Sequence, residues 1–145
     1  MSQSISAESR LVGSWSLVTF EQVLHSGEVL KPFGDSPSGS IIYQADGRMS
    51  AQVSVGNRAR FASDDPDRAT TEEAEKAWQT YFGYWGTYEV NAEKQVVMHR
   101  VEDCSFPNWV GTIQVRHFRF AQDNRLILET QSPSGQWKVT WQRDP

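Results

Sequence analysis

The sequence predicts an all-β fold, namely a single eight-stranded antiparallel up-and-down β-barrel with one inserted α-helix around residues 71–82. The first observation is a series of short segments that alternate between apolar and polar side chains and are joined by tight turns. The second is that consecutive hairpins of this kind close readily into a barrel, which leaves no strand edge exposed. Because the chain has 145 residues, we predict one domain over residues 11–145, preceded by a flexible N-terminus over residues 1–10.

The first predicted strand changes its apolar face part-way along. Trp15 and Leu17 share one face, whereas Val18 and Phe20 occupy the other. A change of parity within one strand indicates a bulge or a bend, as where a long strand turns a barrel corner. The stretch 31–39 contains two prolines and two glycines, so we predict a loop there.

The next hairpin turns around Asp46-Gly47, and its apolar pattern predicts the register. A type I turn with Gly47 in the left-handed conformation places Tyr43 opposite Met49 and gives one continuous apolar face. A two-residue turn would mix polar and apolar side chains on that face. We therefore predict that Tyr43 points into the barrel.

One helix is predicted after the polar loop over residues 56–69. Thr70 and Glu73 have the spacing of a capping box, in which each side chain accepts a hydrogen bond from the other residue's backbone N–H. An apolar stripe at helical spacing follows, which predicts a cover over the barrel or, more simply, over a sheet edge. The stripe consists of Ala74, Ala77, Trp78, Tyr81 and Phe82.

Five further strands follow in close succession, which supports an antiparallel meander. One of them, residues 112–120, places Gln114, Arg116 and Phe118 on one face. An eight-stranded barrel has an interior that side chains can fill or that can hold one small ligand. The other four strands are predicted at 84–90, 96–104, 125–130 and 137–142.

Charge and composition exclude several classes of partner. Fourteen Lys and Arg against 18 Asp and Glu give a net charge of −4, and no basic stripe is present, so nucleic-acid binding is disfavoured. No window is apolar enough for a membrane span, and residues 1–8 lack the features of a signal peptide. Cys104 is the sole cysteine, which excludes an intrachain disulfide and fits a reducing compartment. We therefore expect a cytoplasmic protein. The sequence leaves its oligomeric state open between a monomer and a homodimer.

Five stretches carry a family resemblance, namely residues 11–18, 39–50, 84–88, 106–112 and 114–116. They resemble the lipocalin-like domain family of small, unsecreted calycin-type barrels. The resemblance implies the barrel fold. It also implies that Trp15, in the Gly13-x-Trp15 element, closes the barrel base beneath Arg143 through a cation–π contact. Some barrel relatives act as cyclases or isomerases, so the resemblance implies the fold more strongly than the chemistry.

Arg116 and His99 are the leading candidates for chemistry. If Arg116 points inward, its guanidinium requires either an inward carboxylate or a ligand carboxylate, enolate or carbonyl. His99 lies on the apolar face of its strand with Val97 and Val101, where it is either a proton shuttle or a histidine satisfied by its neighbours. In an enzyme, His99 would be the general base and Arg116 the oxyanion stabiliser.

The remaining ligand-binding candidates are mainly aromatic. Tyrosine hydroxyls can orient a ligand carbonyl, although buried tyrosines usually bond to backbone, and Trp109 either lines the barrel mouth or stops one end. Trp137 is included among the ligand-binding candidates, although a tryptophan in such a strand is more often a core residue than a pocket residue. With His99 and Arg116, the predicted set comprises Tyr43, Met49, Tyr88, Trp109, Gln114, Phe118 and Trp137.

No cofactor and no metal is expected. The three histidines, at positions 25, 99 and 117, lack metal-ligand spacing, and the glycines form no phosphate-binding motif. We therefore predict a barrel that binds one small, largely apolar or aromatic molecule carrying a carbonyl or acid group. The alternatives are a cofactor-free isomerase, cyclase or dehydratase acting on a small hydrophobic metabolite, and a filled barrel that serves only as an interaction module.

Overall fold

A computed structural model of the chain describes residues 6–145, and its strands form one closed antiparallel barrel. Each strand pairs with its neighbours in the sequence, and the first pairs with the last, which closes eight strands into a barrel; β2 is a short extra strand on β1. The predicted barrel is therefore confirmed. Its strands are β1 (Gly13–Leu24), β2 (Val29–Leu30), β3 (Ser38–Tyr43), β4 (Arg48–Ser54), β5 (Tyr81–Asn91), β6 (Val96–Cys104), β7 (Ile113–Ala121), β8 (Arg125–Ser132) and β9 (Gly135–Arg143).

Strand parity and turn chemistry act as the sequence predicts. The register between β1 and β9 shifts between Leu17 and Thr19, which is the expected bulge. In the β3–β4 hairpin Tyr43 pairs with Met49, and Gly47 has a φ of 94°, a conformation that glycine adopts without strain. The apolar face of this hairpin consequently points inward, and Tyr43 is buried.

The base of the barrel is closed by a short helix, α1 (Ala7–Leu11), beneath β1. Leu11 is fully buried, and its carbonyl accepts a hydrogen bond of 2.9 Å from Trp15 Nε1. The Arg143 guanidinium lies 4.2 Å from the centre of a Trp15 ring, which confirms the expected cation–π contact. The predicted flexible segment 1–10 thus includes residues of a helix, whereas residues 1–5 lie outside the described part of the chain.

Helix α2 (Thr71–Gln79) is shorter than the predicted span of 71–82. Its capping box is formed by Thr70 and Glu73 as predicted. The helix ends early because Tyr81 and Phe82 pair with β4 and begin β5, where the ladder satisfies their backbone groups. None of the helix residues is buried, so the apolar stripe does not pack on the barrel as one surface.

The connections of the barrel alternate between its two ends, since successive strands run antiparallel. The end opposite α1 carries the long β4–β5 connection with α2, the β6–β7 connection with its short turn (Pro107–Trp109), and the β8–β9 hairpin. The other end has tight turns and the buried Trp15. The end opposite α1 is therefore the one at which an opening to the interior can form.

Candidate functional site

A cavity of about 470 Å³ occupies the half of the barrel that lies away from α1. This volume falls within the range of small-molecule sites. Its wall is mostly apolar, with side chains from seven of the barrel strands and from the loops at the open end. The lining residues are Phe20, Phe33, Ile41, Ala51, Val53, Phe82, Tyr84, Trp109, Gln114, Arg116, Leu128, Thr130, Gln131, Ser132, Pro133, Trp137, Val139 and Trp141.

Two groups of aromatic rings form opposite parts of this wall. In the first, the ring of Phe20 packs edge-on against Phe33 at 4.8 Å and against Trp137 at 5.5 Å between ring centres. In the second, Trp109 lies 5.0 Å from Phe82 and 5.5 Å from Tyr84, again edge to face. Both groups offer ring faces and edges to which a planar apolar ligand can pack.

Arg116 is the one charged residue among the described lining residues. It is half-buried; its guanidinium lies 5.7 Å from the Trp109 ring centre and donates a hydrogen bond of 3.1 Å to the Val115 carbonyl. Among residues 6–145, no carboxylate forms an ion pair with it. Of the two partners that the sequence allows, an inward carboxylate is therefore absent from the described structure.

His99 lies beneath the cavity, fully buried, between two tyrosine hydroxyls. Its Nε2 is 2.6 Å from Tyr43 Oη, and its Nδ1 is 2.7 Å from Tyr84 Oη. Burial, together with the nearby Arg116 guanidinium, lowers the pKa of His99 to about 3, so the imidazole is neutral at physiological pH. Burial also raises the pKa of both tyrosines, and Arg116 opposes this rise.

The structure places the predicted site residues at two depths along the barrel. Four of them line the cavity: Trp109, Gln114, Arg116 and Trp137. The other five are buried and do not line it, because they lie in the packed half nearer the base. These five are Tyr43, Met49, Tyr88, His99 and Phe118.

Tyr84 is one of fourteen lining residues that the sequence prediction omits, and it is the one that hydrogen-bonds to His99; the signal for it was available. It shares a strand face with Tyr88, which the prediction includes. Strand parity places both hydroxyls inside the barrel but cannot show how deep each one lies. Tyr88 lies towards the base and donates to the backbone carbonyl of Gln44 at 2.7 Å, whereas Tyr84 reaches the cavity.

Within residues 6–145, no three His, Cys, Asp or Glu side chains are grouped as metal ligands would be. Among the same residues, no helix is both long and apolar enough to span a membrane. What the cavity wall offers to a ligand is a set of aromatic surfaces, several hydrogen-bond donors and one guanidinium.

A profile of one protein family, the lipocalin-like domain, matches residues 12–144, which is nearly the whole chain. The chain belongs to the lipocalin-like domain family. One relative of this lipocalin-like domain is the 4'-hydroxy-3'-methoxypropiophenone carrier protein ppsC of Aspergillus oryzae. It is 35% identical over 75 residues, which cover 47% of this chain and 67% of the relative.

Among solved structures, the lipocalin-like domain is similar to a redesigned β-barrel and to the fluorescent protein UnaG. The redesigned barrel is 12% identical with a TM-score of 0.46, covering 99% of this chain and 100% of that one. Wild-type UnaG is also 12% identical, with a TM-score of 0.42, covering 93% of this chain and 98% of that one.

The buried histidine of this lipocalin-like domain predicts an acid-sensitive fold. His99 has a folded pKa of about 3 against an ordinary value of 6.5, so between these pH values the unfolded chain binds more protons. The stability from this group is complete above pH 6.5 and falls with pH below it, by at most about 1.4 kcal/mol per pH unit. The free energy of unfolding, measured in urea between neutral and mildly acidic pH, should fall less steeply with pH in His99→Gln than in the unsubstituted protein.

The control for this measurement is His117→Gln, since His117 is exposed on the outer face of β7. This substitution replaces an exposed histidine and so shows whether a change in the pH slope is specific to the buried one. Equal pH slopes for His99→Gln and the unsubstituted protein would contradict a neutral, buried His99.

Proposed function

We propose that this protein is a small-molecule binding protein whose barrel holds one largely apolar, aromatic ligand that carries a carbonyl or acid group. The observation that carries the proposal is the lone Arg116 guanidinium in an aromatic cavity of about 470 Å³. A half-buried cation without a carboxylate partner is costly, and a ligand oxygen offsets that cost.

Unpaired polar atoms in the cavity wall support the same proposal. Trp141 Nε1 and Ser132 Oγ are buried without a hydrogen-bond partner in the described protein, and both residues line the cavity. Buried polar groups normally have partners, so exceptions require an explanation. Polar groups of a bound ligand would satisfy them while its apolar body packs on the two aromatic groups.

The name of the fungal relative supports this chemical class, since that protein is named as the carrier of an aryl ketone. Such a ketone combines a ring with a carbonyl oxygen and so matches the aromatic wall and the guanidinium. We therefore use 4'-hydroxy-3'-methoxypropiophenone as the ketone probe. Its matched control, the deoxy probe, is the same molecule with a methylene in place of the carbonyl.

Binding of the ketone probe should be measured by calorimetry with the unsubstituted protein and with Arg116→Met. Methionine keeps much of the length but removes the charge, so we expect affinity to fall roughly ten- to a hundredfold, the range for one charge-assisted hydrogen bond. Arg100→Met is the control, because Arg100 is exposed on the neighbouring strand and does not line the cavity. Absence of binding, or equal affinity in Arg116→Met, would contradict the proposal.

The experiment also separates a binding protein from an enzyme. In the enzymatic alternative His99 is the general base, yet both its ring nitrogens are engaged by tyrosines. The ketone probe should therefore be recovered unchanged after prolonged incubation, as mass spectrometry would show. A chemically altered probe would contradict the binding-protein proposal and favour an isomerase or cyclase.

A further inference from the structure

The hydrogen-bonded chain Tyr43–His99–Tyr84 connects the packed core to the cavity. Tyr43 and His99 are almost fully buried and do not line the cavity, whereas Tyr84 does. Both hydrogen bonds are short, at 2.6 and 2.7 Å. These two hydrogen bonds thus lead from Tyr43, in the packed half of the barrel, to Tyr84 at the cavity wall.

Few protons are available for hydrogen bonding between His99 and the two tyrosine hydroxyls. A neutral imidazole has one N–H donor and one acceptor nitrogen, while each tyrosine hydroxyl donates one proton. One tyrosine must therefore donate to His99, and the other must accept from the His99 N–H. The tyrosine that accepts keeps its own hydroxyl proton for a different acceptor.

The surroundings of the two tyrosines decide between these arrangements. Within the described structure, the Tyr43 hydroxyl has no hydrogen-bond partner other than His99 Nε2. If it accepted from Nε2–H, its own proton would be buried without an acceptor, which is costly. Tyr43 therefore donates to Nε2, and Nδ1–H donates to Tyr84 Oη.

Arg116 favours the same direction. Both residues line the cavity, and the guanidinium lowers the pKa of Tyr84 through its charge and a side-chain hydrogen bond, whereas it acts on Tyr43 through its charge alone. A cation beside Tyr84 favours an arrangement in which the oxygen lone pairs face it and the proton points away. The Tyr84 proton is then left for an acceptor in the cavity, which Tyr84 lines.

We propose that Tyr84 is the residue that recognises the ligand oxygen, donating its hydroxyl proton to a ketone or carboxylate, while Tyr43 and His99 are positioning residues that hold this proton towards the cavity. This inference rests on the proposed function, which it extends by naming a donor and a specificity. With Tyr84 and Arg116 both donating, this part of the wall selects ligands with an acceptor oxygen over matched hydrocarbons.

The direction of the two hydrogen bonds made by His99 can be measured without any ligand. In the protein labelled with ¹⁵N-histidine, His99 should show a protonated Nδ1 and an unprotonated Nε2, which the ¹⁵N chemical shifts distinguish. Variants at His25 and His117 assign the other two signals. A protonated Nε2 would overturn the inference even if the ketone probe binds.

Recognition of the carbonyl is tested by Tyr84→Phe with the two probes. We expect affinity for the ketone probe to fall roughly two- to tenfold, as for one hydrogen bond, while affinity for the deoxy probe stays unchanged. Tyr88→Phe is the matched control, since Tyr88 lies on the same inner face of β5 but bonds to backbone away from the cavity. If Tyr84→Phe binds both probes as the unsubstituted protein does, Tyr84 does not recognise the oxygen.

Tyr43→Phe tests the positioning role, because it removes the donor to Nε2 without changing the cavity wall. We expect the His99 ¹⁵N shifts to become intermediate between the two tautomers, with a partial loss of affinity for the ketone probe alone. Unchanged shifts and affinity would remove Tyr43 from the proposal. Failure of the proposed function is distinct from these outcomes, since neither probe would then bind while the tautomer could still be as inferred.

Discussion

Trp15→Ala is expected to lower the free energy of unfolding by about 3–5 kcal/mol, the range for removing a fully buried tryptophan. Trp15 is 1% exposed, and its Nε1 donates to the Leu11 carbonyl at 2.9 Å. The substitution also leaves Arg143 without the ring on which it lies. Because one side chain connects α1, β1 and β9, its loss opens a cavity at the base of the barrel.

Urea unfolding followed by far-UV circular dichroism measures this effect. Trp85→Ala is the control, since Trp85 is 47% exposed on β5, and its loss should cost less than about 1 kcal/mol. A Trp15→Ala variant as stable as Trp85→Ala would mean that the base of the barrel does not depend on this tryptophan.

Val139→Trp is expected to abolish measurable binding of the ketone probe while the barrel stays folded. Val139 lines the cavity next to Trp137 and Trp141 on β9, so an indole placed there occupies the space that the ligand needs. An enlarged side chain in a packed core costs roughly 1–3 kcal/mol, but here it enters an existing cavity. Calorimetry with the ketone probe, together with a thermal unfolding scan, gives both quantities.

Val115→Trp is the matched control, because the same substitution is made at a residue that is 44% exposed on the outside of β7. It should bind the ketone probe with unchanged affinity. If Val139→Trp also binds the ketone probe normally and remains folded, the ligand occupies some place other than this cavity.

Local sequence signals predicted most of the fold, because each depends on residues that are close along the chain. The β3–β4 register follows from Gly47 and from the match of Tyr43 with Met49, and the bulge in β1 follows from one change of parity. The capping box at Thr70 marks the start of α2 for the same reason. The predicted end of α2 was wrong because Tyr81 fits a helical stripe as well as a strand. Its pairing with β4 decides in favour of the strand.

The candidate site was only partly predictable, since strand parity gives the direction of a side chain but not its depth. Parity predicts that Arg116 and Gln114 point inward, and both line the cavity. His99 points inward as expected, yet it lies below the cavity with both nitrogens engaged. Tyr84 has the same parity as Tyr88, and its place in the cavity wall depends on where the barrel is filled.

Alternation, turn residues and composition were thus sufficient to predict an antiparallel barrel, an inward-facing Arg116 and an interior rich in aromatic rings, while the family resemblance added a base closed by Trp15 and Arg143. The folded barrel was needed to show that the half near α1 is packed, that the other half is hollow, and that Tyr84 rather than Tyr88 lines the cavity. This division arises because alternation and turn chemistry are short-range properties. Packing density and hydrogen-bond satisfaction arise from side chains on different strands, which come together when β1 pairs with β9.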